Sequence, residues 1–343
     1  MKNKKLVFWA RIAAVFVTFT SIYIFAPWEA ALHYLKPLPD TLQEEVADAA
    51  DQHIAGIIVY AQQGDKPPET YASGWHNRAE KIPAFANALF KIASIAKLYD
   101  AAAVAQLTAD GVLSLDTTLA SYMPELVGRI EHAETITLRM MVQHQSGIPN
   151  FTDQPEFNWG EANLDVLEIA LDKPALFEPG TDWSYSNTNY LLLQRIMTRV
   201  LGYNYTQFIR EEMLAPLGLS DTYFSVNEVP EQSRLMSGYY VGYEEDLKGL
   251  DQGYVASAAD VGQFVRALNN GSLFSGSAAQ IYSSLYEFGH DGWVLGYLSK
   301  AWYQPDIDTV VVQFVNTNGD HTVMLNDVIY SRVVDILRAT EAD

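Results

Sequence analysis

Apolar and polar positions divide the chain into stretches of different character. The first is a basic tip, Lys2-Asn3-Lys4-Lys5, followed by an apolar run from Leu6 to Trp28 that only Arg11 interrupts. Its uncharged part begins at Ile12 and lies at the short limit for a membrane span. All the basic residues here stand on the N-terminal side, which predicts that the rest of the chain faces away from the cytoplasm. A cleaved signal peptide and an uncleaved anchor share this pattern. No small-x-small cleavage site is present, since Ala26 is followed by Pro27 and Trp28, and this favours the anchor. Residues 1–28 are read as the anchor or signal segment, and 29–40, with Pro37 and Pro39, as a linker.

The second character is a mixture of strand and helix signals. Thr41 to Gln52 has helical spacing, with Leu42, Val46, Ala49 and Ala50 inward. Ile54 to Tyr60 is a continuous apolar run and predicts a buried strand. Gly64-Asp65 marks a turn, and Thr70 to Trp75 a partner strand. An Ala-rich helix opens at Ser94, runs through Leu107 and stops at Asp110-Gly111.

From Val112 to about Val229 the pattern is mostly helical, with long connections. Its helices are read at 136–143, 189–201 and 205–214. A helix over 258–268 follows, then strands over 294–303 and 309–316, and a last helix over 325–338. Strands near both ends of the chain bracket a helical middle. This predicts an α+β fold with one antiparallel sheet built from both ends. The sheet domain comprises 41–111 and 235–343, and the inserted helical domain 112–234. A cleft then lies between the two, with the Ser94 helix starting in it.

Composition narrows the function classes. The 343 residues include no cysteine, which excludes disulfides, thiolate nucleophiles, Cys-zinc sites and a lipidated cysteine. The formal charge of −20 disfavours nucleic acid and anionic surfaces as partners and reads as a device for solubility. The seven histidines are scattered, with no His-Glu-x-x-His pattern, so neither a metal nor a cofactor is expected. A Ser-His-Asp hydrolase needs a Gly-x-Ser-x-Gly elbow, and Gly218-Leu219-Ser220-Asp221-Thr222 fails at its last position.

Three short constellations carry candidate chemistry. Ser94 and Lys97 stand one helical turn apart, on one face, at a helix start. The positive end of the helix favours an alkoxide and an adjacent oxyanion, and a partly dry lysine can act as base toward the hydroxyl. Taken alone, the pair equally describes a helix cap followed by a solvated lysine. Tyr185 and Asn187 are two apart in a Pro/Gly-marked loop and point the same way if extended. A tyrosinate beside an ammonium can serve as base and then acid, and the Asn amide can hold Lys97 and a substrate carbonyl. A core-packed tyrosine and a turn asparagine would look the same. His290-Asp291-Gly292 leads toward a strand. His290 can donate to the tyrosine or the substrate, and Gly292 allows close backbone approach.

These constellations and their flanks resemble the serine β-lactamase-like superfamily, in the branch of class C β-lactamases, D-Ala-D-Ala carboxypeptidases and related esterases and D-aminopeptidases. Ser-x-x-Lys, Tyr-x-Asn and Lys-or-His-x-Gly occur in the family's order as Ser94/Lys97, Tyr185/Asn187 and His290/Gly292. The flanks FKIASIAK, GVLSLD, ITLRMMVQHQSGIPNF, FEPGTDWSYSNTNYLLLQRIM and VVVQFVNTNG match too, and the likeness covers roughly residues 41–338. It implies a β-lactamase/transpeptidase-like fold and acyl transfer from a small-molecule or peptide substrate, with catalytic Ser94, Lys97 and Tyr185. It also implies an oxyanion site between the backbone N–H groups of Ser94 and Trp293. By the same resemblance His144 and Ser146-Gly147 form a structural helix-end turn, and Asp182 and Trp183 frame a loop.

Two departures sharpen the expectation. Relatives that bind a substrate carboxylate commonly place a hydroxyl where Asp291 stands, and an acid facing the pocket would repel one. The segment between Gly276 and Gly289 is short, so a pocket wall would be rebuilt from Tyr282, Tyr286 and Trp293. A non-catalytic binding or sensor protein on the same fold is the alternative.

Overall fold

The continuous apolar run near Ile57 forms the middle of a six-stranded antiparallel sheet. The computed structural model describes residues 2–52, 54–160, 165–319 and 321–342. The strands are β1 (Gly56–Gln63), β2 (Glu69–Asn77), β3 (Ile82–Pro83), β4 (His290–Val294), β5 (Tyr297–Gln304) and β6 (Thr309–Val315), in the order β3-β2-β1-β6-β5-β4. β1 pairs with β6 from Ile57↔Val315 to Gln63↔Thr309, so the two chain ends close on each other. Both faces of β1 are covered, which is why its sequence does not alternate. Ile57, Val59 and Ala61 pack with Val311, Val315, Ile329 and Val333 on one face. Ile58 and Tyr60 pack with Tyr99, Phe264, Val310 and Phe314 on the other. The fold is α+β, with helices on both faces of an antiparallel sheet, as the sequence pattern predicts.

Among the described residues the α-helices of eight residues or more are α1 (Lys2–Phe25), α2 (Trp28–Leu35), α3 (Leu42–Ala50), α4 (Ala96–Ala109), α5 (Asn187–Leu201), α6 (Ala258–Asn270) and α7 (Thr322–Ala342). α3 and α7 cover one face of the sheet. α3 begins at Thr41 with a capping box closed by Glu44. α4 is buried from Lys97 to Leu107. Its small alanines permit that, because neighbouring elements can approach from every side.

Three expectations are corrected. The supposed linker contains α2, whose Ala30 and His33 are buried. His33 Nε2 lies 2.8 Å from Glu45 Oε1 of α3. Arg332 of α7 donates to Glu45 Oε2 at 2.9 Å and also to the Lys36 and Pro37 carbonyls. The prolines end a helix here and leave no free tether. Next, the strand expected over 294–303 is a hairpin: β4 and β5 join through Leu295-Gly296, with Gly296 at φ 93°, a conformation glycine favours. Third, Ser94 lies in a 3-10 turn, Ala93–Ile95, that precedes α4 rather than in its first turn.

α1 is long and apolar enough to cross a membrane, and no residue in its apolar window is buried.

Candidate active site

Ser94 sits where the turn before α4 meets the edge strand β4. Gly292 explains the closeness. A Cβ on it would lie 2.4 Å from the Ile92 carbonyl oxygen and 3.0 Å from Ala93 Cβ. Any larger residue would push β4 off the turn that carries Ser94. Ser299 of β5 adds a hydroxyl bond to the Ile92 carbonyl at 2.9 Å.

The structure brings Ser94, Lys97, Tyr185 and Asn187 into one hydrogen-bonded group. Tyr185 OH lies 2.7 Å from Ser94 Oγ. Lys97 Nζ donates to Ser94 Oγ at 3.2 Å and to Asn187 Oδ1 at 2.8 Å. The ammonium also stands 4.9 Å and 5.3 Å from the ring centres of Tyr185 and Tyr190. Asn187 is itself held. Asn150 Oδ1 accepts from its backbone N–H at 3.0 Å and its side-chain amide at 3.2 Å. Asn150 in turn donates to Thr152. With its amide hydrogens turned to Asn150, Asn187 must present its oxygen to Lys97.

His144 ends a short helix, Leu138–Val142, in the left-handed region at φ 57°. Its Nδ1 accepts from the Ser186 N–H at 3.1 Å, and its ring lies 4.5 Å from that of Tyr185. Burial, and then the nearby Lys97 charge, lower its pKa to about 3. It is a neutral prop for the Tyr185–Asn187 segment.

Of the two partners expected for His290, the tyrosine or the substrate, the tyrosine is not hydrogen-bonded to it. Its ring stacks on Tyr286 at 5.9 Å and lies 6.4 Å from Tyr185. Its Nδ1 meets the Asp291 carbonyl. Burial lowers its pKa to about 4, so the ring is neutral with its proton on Nδ1, and Nε2 is left as an acceptor.

Asp291 reaches across to β5 on the face of the sheet that α7 covers. It accepts from Lys300 Nζ and from Trp302 Nε1 at 2.6 Å. Lys300 also pairs with Asp327 of α7 at 2.9 Å. Burial works against the ammonium, but the two carboxylates hold its pKa above the usual lysine value. Of the aromatics expected in the rebuilt wall, Tyr286 and Trp293 border the site, with Trp293 exposed and edge-on to Trp159 at 5.4 Å. Tyr282 is fully buried core instead.

Two cavities meet at Ser94. One, about 550 Å³, includes Tyr185, His290, Asp291, Gly292, Lys300 and Asp327. The other, about 300 Å³, includes Lys97, Asp100, Trp159, Tyr190, Tyr205 and Tyr254. Sequence reasoning missed Asn150, Thr152 and Asp100. The first two had a weak signal, polar residues two apart beside the Ser146-Gly147 turn. Asp100 had another, a lone acid among alanines.

A sequence profile of the β-lactamase family matches residues 40–287. Penicillin-binding protein 4* of Bacillus subtilis (strain 168) is 27% identical over 221 residues, 62% of this chain and 46% of that protein. Protein flp of Staphylococcus aureus (strain MW2) is 28% identical over 188 residues, 54% of this chain and 37% of that protein. The matched region thus spans less than half the length of these curated relatives. Among solved structures, the D-amino acid amidase of Ochrobactrum anthropi SV3, complexed with L-phenylalanine amide, superposes with a TM-score of 0.74 at 20% identity, covering 87% of this chain and 98% of that one. A class C β-lactamase from Rhodobacter sphaeroides gives 0.67 at 22%, covering 88% and 100%. These likenesses are of fold.

Proposed function

The chain belongs to the β-lactamase family, and from that premise we propose that it is a serine hydrolase cleaving an amide or ester through an acyl-enzyme on Ser94. The observation that carries this is the Ser94 hydroxyl held between Tyr185 OH at 2.7 Å and Lys97 Nζ at 3.2 Å. Ser94 Oγ attacks the carbonyl carbon and its proton passes to the Tyr185–Lys97 pair. The oxyanion is taken by the N–H groups of Ser94 and Trp293. Counting back from the Leu295-Gly296 turn, the antiparallel alternation puts Trp293 at a position that does not bond to β5, and β4 is the outermost strand. That supports a Trp293 N–H free for a ligand. Tyr185 returns the proton to the leaving group, a water adds to the ester, and Ser94 is regenerated.

The leaving group therefore occupies the cavity that contains Tyr185. Among its described lining residues the acids Asp291, Asp327 and Asp153 outnumber the ammonium of Lys300, which is already bonded to two carboxylates. This favours neutral leaving groups over the carboxylates of penicillins and D-Ala-D-Ala termini. The amidase neighbour, complexed with phenylalanine amide, fits that preference. We place the catalytic part on the extracytoplasmic side, tethered by α1.

The full chain in detergent, treated with a serine-reactive fluorophosphonate, tests the reading. The adduct is expected on Ser94, undiminished by benzylpenicillin, and Ser94→Ala is expected to be folded and without turnover. A folded protein with no label at Ser94 would move the assignment to a binding protein on this fold. Displacement of the label by penicillin would restore carboxylate substrates.

A further inference from the structure

The smaller cavity beside Ser94 contains a carboxylate that the acyl-transfer scheme does not use. Asp100 lies on α4, one turn beyond Lys97, and is 1% exposed. One oxygen accepts from Tyr254 OH at 2.7 Å and the other from Gln194 Nε2 at 2.9 Å. Tyr254 OH lies 3.2 Å from Tyr205 OH. Each carboxylate oxygen keeps a further acceptor site. Among the described residues no cation forms an ion pair with it; Lys97 is turned to Ser94 and Asn187. A purely structural network of this shape needs no acid, and a buried charge whose nearest cation, Lys97, is bonded elsewhere is expensive. Around it stand the aromatic rings of Trp159, Tyr190, Tyr205 and Tyr254, while Lys97 lines the end next to Ser94. A carboxylate floor with aromatic walls is the environment that holds an ammonium.

Because Tyr185 assigns the leaving group to the other cavity, this one takes the acyl part. We infer that the acyl group carries a primary ammonium several bonds from the scissile carbonyl, with Asp100 as its counter-ion. This rests on the acyl-enzyme reading and names the substrate class for it. The length follows from the helix. Asp100 is six residues beyond Ser94, a rise of roughly 9 Å, and its side chain leans back toward Ser94. An ammonium on the α-carbon stays beside Ser94, whereas one at the end of a short alkyl chain reaches the carboxylate.

Two measurements test this on the full chain. In the first, Ser94 labelling by a small fluorophosphonate is followed with pentylammonium or 1-pentanol as competitor. Pentylammonium is expected to protect at concentrations tenfold or more below pentanol. In the second, 5-aminopentanoyl and hexanoyl p-nitroanilides, which differ by an ammonium in place of a methyl, are compared by kcat/KM. The ammonium substrate is expected to be favoured tenfold or more, and in Asp100→Asn both ratios are expected to fall to near one. Equal protection and equal kcat/KM in the wild-type protein would overturn the inference with no variant needed. An ammonium preference that survives in Asp100→Asn would overturn the role of Asp100. Failure of Ser94 to label at all would strike the acyl-enzyme reading instead.

Discussion

Glu45 and Asp100 are two carboxylates equally closed to solvent and treated in opposite ways. Glu45 joins α2, α3 and α7, and has two basic partners, His33 and Arg332. Burial alone would raise its pKa, but the hydrogen bonds from His33 and Arg332 hold it below the usual carboxylate value. Asp100 has two neutral donors and, among the described residues, no ion pair; burial raises its pKa to about 6 against the smaller, opposite pull of the nearby Lys97 charge. The first is a closed staple, satisfied from within the chain. The second is half of a pair, and its missing half points to a ligand.

The largest expected effect breaks the staple. Glu45→Ala leaves a guanidinium buried between α3 and α7 without its acid, which should cost about 3–5 kcal/mol, read by denaturant unfolding. Asp100→Asn should move the other way. The folded pKa of Asp100 is raised, so the native state holds its proton more tightly than the unfolded chain. Stability present below about pH 4 is then lost as pH rises to about 6, a loss on the order of 3 kcal/mol. Asn removes that loss and forfeits at most one hydrogen bond, so its Tm at pH 7.5 should equal or exceed that of the wild-type protein. A strongly destabilised Asp100→Asn would make Asp100 a structural residue like Glu45.

Proton occupancy gives the next effect. The ammonium preference should be full above about pH 7 and fade as pH falls through about 6. The groups facing Asp100 are Lys97, Tyr190, Tyr205, Tyr254 and Tyr286. The last four are tyrosines whose pKa values burial raises. His144 and His290, at about 3 and about 4, stay neutral across this window. A preference unchanged from pH 5 to 8 would remove Asp100 from its recognition.

The same contrast explains what was legible in the sequence. β1 and β6 could be read because a strand buried on both faces is apolar throughout. The β4–β5 hairpin could not, since its Leu295-Gly296 turn breaks an apolar stretch with only one turn residue. α2 was hidden by Pro37 and Pro39, and Glu45 meets Arg332 only in three dimensions. Ser94, Lys97, Tyr185 and Asn187 follow short spacings that survive in sequence, and so does the need for glycine at 292. Asn150 and Asp100 act through partners far along the chain, such as Gln194 and Tyr254, and local spacing does not reveal those.

The smallest effect concerns a third carboxylate, one that is neither buried staple nor open half-pair. Asp291 is exposed, and its bond to Lys300 should contribute well under about 1 kcal/mol to stability. Asp291→Asn should therefore leave Tm nearly unchanged. Its effect is on charge beside the leaving group. Lys300 then keeps one acid, Asp327, rather than two, and the repulsion felt by an incoming carboxylate drops. Acylation of Ser94 by benzylpenicillin, followed by mass, should rise severalfold, while labelling by a neutral fluorophosphonate stays within about twofold. Equal gains for both reagents would mean that Asp291 shapes the cavity rather than its charge. The case for neutral leaving groups would then rest on Asp153 and Asp327 alone.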